Sequence, residues 1–137
     1  MRKAFLTLAT AAMALSAMAL PVSSASAASG PVLVCNIQPS GIFTYGDICD
    51  TAYAASTYSI DFQVQGGSGT YSYAWTVPPH FTISYGCTST SSECTLTIRG
   101  TMAEHDITMP VALTQGGTQT TLTAEAYIPA VCGKDLC

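Results

Sequence analysis

Across residues 28–137, apolar side chains recur at almost every second position, in short runs separated by Gly, Pro and Ser/Thr clusters. A period of two is the signature of strands with one face in a core and the other in water, and it restricts the chain to β-structure. Ile60, Phe62 and Val64 alternate with Asp61, Gln63 and Gln65. Tyr71, Tyr73, Trp75 and Val77 then share one face against Ser72, Ala74 and Thr76, and Gly66, Gly67, Ser68 and Gly69 read as a hairpin turn between these two strands. Pro78 and Pro79 end the second strand, since neither donates to a ladder. Phe81, Ile83 and Tyr85 alternate next, and a Ser/Thr-rich loop over residues 86–93 leads to a strand around Leu96 and Ile98 that Gly100 closes.

The clearest hairpin comes last. Ile107, Met109, Val111 and Leu113 alternate before Gln115, Gly116, Gly117 and Thr118, and Leu122, Ala124, Ala126 and Ile128 alternate after them. Pro110, inside the first arm, indicates an edge position or a bulge. With a strand over residues 32–37, about seven strands are expected, which is the pattern of an all-β antiparallel sandwich. No stretch holds a 3.6 period for ten residues; residues 50–56 are the weak helical candidate and read as a turn. Long repeats are absent, which argues against a propeller or solenoid.

The N-terminus belongs to targeting and not to the fold. Arg2 and Lys3 precede an Ala/Leu/Met-rich run over residues 4–20, Pro21 ends it, and Ala25, Ser26 and Ala27 form the small-x-small site of a signal peptidase. The expected organisation is a signal peptide, 1–27, followed by one domain, 28–137. The run is close to the lower limit for a membrane span, but the Ala-rich composition and the cleavage site favour a signal peptide over an anchor. Cys35 lies well beyond the run and follows Val34, which disfavours a lipoprotein. Cleavage leaves two Lys/Arg against eight acidic residues, so no basic surface for nucleic acid can be assembled.

All six cysteines survive cleavage and enter an oxidising compartment as an even set, expected to form up to three disulfides. Cys87 with Cys94 is the preferred pair because a short loop joins them, and Cys35 with Cys49 and Cys132 with Cys137 are chosen over the crossed alternatives, which spacing alone leaves open. Zinc would need clustered C-x2-C spacings, which are missing, and His80 and His105 stand in no ligand pattern with the cysteines.

The run Gly67, Ser68, Gly69, Thr70, Tyr71, Ser72, Tyr73, Ala74, Trp75 resembles the second-and-third-strand region of bacterial extracellular immunoglobulin-like modules, PKD-like ones included. In those modules a Gly-rich turn leads to a Y-x-W strand whose Trp packs in the core, and the closing G-G hairpin with its Thr-rich last strand is similar too. The resemblance covers residues 58–128. It implies an immunoglobulin-like sandwich with a spacer, adhesion or ligand-binding role, and it carries over no functional residue.

The chemistry-bearing candidates are few. Residues 66–70 approach the G-x-S-x-G nucleophile motif and depart from it at Thr70, with no helix following. Glu104, His105 and Asp106 could supply acid and base, but alternation puts only Glu104 and Asp106 on one face, as expected of a solvated turn before the Ile107 strand. Asp47 and Asp50 offer too few oxygens for calcium, and the even cysteine set disfavours a nucleophilic thiol. Tyr71, Tyr73 and Trp75 would be a sugar-stacking platform only if they faced outward; the small residues opposite them place the aromatics, Trp75 above all, in the core. Tyr45, Tyr53, Tyr58 and Tyr127 remain as surface aromatics of the type found at binding hot spots.

No catalytic residue, cofactor or metal is therefore expected. The expectation is a secreted or periplasmic immunoglobulin-like module whose partner is an extracellular protein or a carbohydrate, with no membrane insertion after cleavage. A lone domain of this kind fits binding better than spacing. The alternative is a disulfide-bonded inhibitor of an extracellular hydrolase that presents the loop from Cys87 to Cys94, although that loop lacks a bulky or basic anchor.

Overall fold

The computed structural model describes residues 30–40 and 45–137, and the signal peptide read in 1–27 lies outside the described residues. Among the described residues ten strands form: β1 (Val32–Gln38), β2 (Ile48–Asp50), β3 (Thr57–Gln65), β4 (Ser72–Trp75), β5 (Thr82–Gly86), β6 (Glu93–Arg99), β7 (His105–Gln115), β8 (Thr118–Ile128), β9 (Val131–Cys132) and β10 (Asp135–Leu136). Two four-stranded sheets, ordered β1-β3-β6-β5 and β2-β8-β7-β4, face each other, and β9 and β10 make a separate small ladder. With β2 taken as the continuation of β1, the strands lettered in chain order run A-B-E-D in one sheet and G-F-C in the other, which is the immunoglobulin arrangement.

The strand count exceeds the expected seven because β2, β9 and β10 are two or three residues long, too short for a period to show. Pairing is antiparallel throughout except between β2 and β8, which run parallel. The segment 50–56 is not helical: Asp50 ends β2, and the following stretch is held down by Tyr58, whose hydroxyl donates to the Tyr53 carbonyl at 2.8 Å and accepts from the Ala55 amide at 3.0 Å. Tyr58, read from sequence as a surface aromatic, is thus fully buried beside Ile60 and Phe62 on the inner face of β3.

The inner faces meet in one core. Leu33, Cys35 and Ile37 come from β1, Cys94 and Leu96 from β6, Ile107, Met109, Val111 and Leu113 from β7, and Ala124, Ala126 and Ile128 from β8. Gly116 and Gly117 close the β7–β8 hairpin with positive φ at both central residues, the conformation a two-residue turn requires.

Two local expectations are corrected by the pairing. Residues 66–70 are no hairpin turn: both edges of β3 are occupied, by β1 and β6, so the Gly-rich link crosses to the other sheet, where β4 pairs with β7. Pro110 lies neither on an edge nor at a bulge, since β7 is internal and its register with β8 is unbroken. Its missing N–H is tolerated because the β4 ladder ends at the Trp75–Val111 pair, one residue before Pro110, whose carbonyl still accepts from Thr76 at 3.1 Å.

Three disulfides join Cys35 to Cys49, Cys87 to Cys94 and Cys132 to Cys137. The first links β1 to β2, and so one sheet to the other. Such a set fits an oxidising compartment. Among the described residues no helix is long and apolar enough to cross a membrane.

Candidate ligand cleft

Tyr71, Tyr73 and Trp75 do face inward against the core, with the Tyr73 and Trp75 rings stacked at 6.4 Å, but Trp75 is only half-buried. The expectation of a core Trp is corrected in depth, because β4 is a four-residue edge strand and leaves one flank of the indole open.

That flank is partly covered by the loop over residues 87–94. Ser91 accepts the indole N–H of Trp75 at 3.1 Å, Ser89 accepts the amide of Tyr73 at 2.9 Å, and Ser92 accepts that of Val64 at 2.8 Å. The loop starts with Gly86 and Cys87, both at positive φ, and a Cβ on Gly86 would lie 2.1 Å from the Glu93 carbonyl, so the tight return needs glycine there. A loop spent on bonding both sheets presents only small side chains outward and gives an inhibitor reading nothing to anchor.

Strand β5 departs from the alternation in a different way. A bulge separates Ile83 from Tyr85, and the two are 52% and 64% exposed. As the outer strand of its sheet, β5 lacks a full partner across the sandwich.

The acidic positions are dispersed or engaged. Glu104 accepts the Tyr127 hydroxyl at 2.9 Å, a bond that holds the Tyr127 pKa above its ordinary value. Asp106 pairs in register with Tyr127 on the outer face. The Asp47 carbonyl accepts from the Glu125 amide at 2.9 Å, and Asp50 is exposed. Among the described residues no cluster of three or more His, Cys, Asp or Glu could hold a metal ion.

A cleft of about 560 Å³ opens at one end of the sandwich, lined by Thr57, His80, Thr82, Thr97, Ile98, Arg99, Thr101 and His105. The strands set the geometry: Thr97 and Arg99 share a face of β6, Thr82 of β5 pairs with Thr97, and Thr57 of β3 pairs with Arg99. His80 comes from the link after β4 and His105 from the first residue of β7. His80 sits at φ 77° directly after Pro79, so a turn position that favours glycine carries an imidazole instead.

His105 Nε2 lies 3.1 Å from Thr101 Oγ1. The Thr101 hydroxyl also donates to the Ala103 carbonyl at 3.0 Å and accepts from the Ala103 amide at 3.3 Å, so its proton is committed within a local turn. With that proton engaged, His105 Nε2 serves Thr101 as donor and not as base.

Sequence reasoning considered His80 as a metal ligand, and His105 as a metal ligand or as an acid–base group with Glu104 and Asp106, and did not single out Arg99 or the four threonines. Their positions span residues 57–105, and only the stacking of β3, β6 and β5 brings them to one end. The available signal was scarcity: Arg99 and Lys134 are the only Lys or Arg in residues 28–137.

No family model matches the chain, and no curated protein matches it. Among solved structures it is similar to a chimeric titin Z1Z2 functionalised with a KLER exogenous peptide from decorin, at 20% identity over 76% of this chain and 98% of that chain, with a TM-score of 0.39.

Proposed function

We propose that residues 1–27 are removed on export and that residues 28–137 act as a non-catalytic immunoglobulin-like binding module, taking an extracellular ligand in the cleft between the 78–82 link and the 99–105 segment. The observation that carries this reading is the convergence of His80, Arg99 and His105 on a single cleft lined by four threonines. The cleft's volume falls in the range of small-ligand sites, and its lining side chains are polar but for Ile98. The immunoglobulin-like architecture supports it by holding the cleft residues on paired strands. The three disulfides support an exported setting.

Two measurements test the two halves of the proposal. Intact mass of the exported protein should start at Ala28, and retention of residues 1–27 would make the segment an anchor. Backbone NMR shift mapping with soluble saccharides and peptides from the native extracellular milieu should move the resonances of Thr57, Thr97, Arg99, Thr101 and His105. Perturbation confined to Tyr85 and its neighbours, or to the outer face of β7 and β8, would overturn the cleft as the binding site.

A further inference from the structure

The charges of this protein are sorted with respect to the cleft. Residues 28–137 carry eight carboxylates and four basic side chains, Arg99, Lys134, His80 and His105. Three of the four basic groups line the cleft, and none of the eight carboxylates does. The two nearest in sequence are turned to other work: Glu104 holds the Tyr127 hydroxyl, and Asp106 lies on the opposite face of β7 from His105. Among the described residues, no carboxylate pairs with Arg99. A guanidinium kept unpaired in an acidic protein, beside the His80 imidazole with its N–H, is a site for an oxyanion, while the His105 Nε2–H is given to Thr101.

The remaining lining defines what carries that oxyanion. The hydroxyls of Thr57 and Thr82 are donors and acceptors, that of Thr101 is taken up by Ala103 and His105, and Ile98 offers one apolar surface. Thr97 already donates to the Thr82 carbonyl at 3.3 Å, which leaves its oxygen to accept. A ring bearing several hydroxyls meets such a lining, and a cavity of about 560 Å³ has room for one or two sugar rings. His80 adds an independent sign, because a non-glycine residue in the left-handed region is retained at a backbone cost where the side chain is used.

We propose, building on the cleft as the binding site, that its ligand is an acidic saccharide of the hexuronate class, with the carboxylate on Arg99 and the ring hydroxyls on Thr57, Thr82 and Thr97. Isothermal titration and NMR shift mapping with glucuronate, glucose and acetate test it. Glucuronate should move the cleft resonances and bind at least tenfold more tightly than either glucose or acetate. Arg99→Gln should weaken glucuronate binding by about 10- to 100-fold with unchanged Tm, as loss of a hydrogen bond to a charged group implies. His80→Gly, which relaxes the backbone, should weaken binding while Tm holds or rises.

Equal binding of glucose and glucuronate would overturn the anionic class and leave the cleft as a binding site. Equal binding of acetate and glucuronate would overturn the sugar. Failure of all three probes to move the cleft resonances would overturn this inference and remove the saccharide support for the cleft itself.

Discussion

Tyr58 contributes more than its ring to the core. Its hydroxyl is the shared partner of the Tyr53 carbonyl and the Ala55 amide, so it pins the 51–56 segment to the end of β3. Tyr58→Phe would leave both backbone groups without that partner and should cost about 1 to 3 kcal/mol. In a domain of this size each kcal/mol lowers Tm by about 4 to 8 °C; an unchanged melting curve would mean that water takes over both groups. Tyr45 makes a second phenol contact, donating to Asp61, whose other oxygen accepts from Thr95 at 3.0 Å. That bond, reinforced by burial, pushes the Tyr45 pKa up to about 12 from an ordinary 10.0. A raised folded-state pKa means that the stabilisation is fully present below pH 10 and is lost as pH rises through about 12. The Tm difference between wild type and Tyr45→Phe should therefore hold at pH 8 and shrink between pH 10 and 12, and a pH-independent difference would deny the linkage.

At the scale of elements, the open side of the sandwich is the informative one. Strand β4 is short and β5 is bulged, so the two sheets leave a gap at that edge, and the loop over residues 87–94 fills it by bonding to both. The Cys87–Cys94 bridge closes this loop and in the chain-entropy model contributes about 2 to 3 kcal/mol. Because Trp75 is half-buried beneath the loop, Trp75→Ala should cost about 2 to 3 kcal/mol, combining partial apolar burial with the lost bond to Ser91. Chemical denaturation measures this directly. A cost near zero would mean that the loop does not shield the indole, and native fluorescence would then be as accessible to iodide as that of free tryptophan.

For the whole molecule, the Cys35–Cys49 bridge ties the first strand, in one sheet, to β2, in the other. It also holds β2 against β8 in the parallel pair. Replacing both cysteines by alanine removes a cross-link closing about 15 residues, worth about 3 kcal/mol in the chain-entropy model. Heat denaturation should show that loss, together with faster amide exchange in β2 before the rest of the sandwich opens. A double variant with native Tm and native β2 protection would mean that the β2–β8 ladder stands without the bridge.

The all-β class, the positions of most strands and the inward faces of Ile60, Phe62, Ile107, Met109 and Val111 were determined by the amino-acid sequence alone, because alternation is a property each strand carries locally. The G-G turn of the last hairpin was legible for the same reason, since its two positive φ angles are demanded by the turn itself. Partnership between strands is not local. Whether residues 66–70 turn back or cross over depends on β1 and β6 having occupied both edges of β3, and the exposure of Ile83 and half-burial of Trp75 depend on which strands end up outermost. Tyr58 continued the period of Ile60 and Phe62 and was legible in principle, but its hydroxyl's partners in the 51–56 segment came only with the fold. The cleft was the least legible feature. Its basic groups stand at positions 80, 99 and 105, and no local pattern joins them until β3, β6 and β5 lie side by side in one sheet and the start of β7 reaches the same cleft from the other.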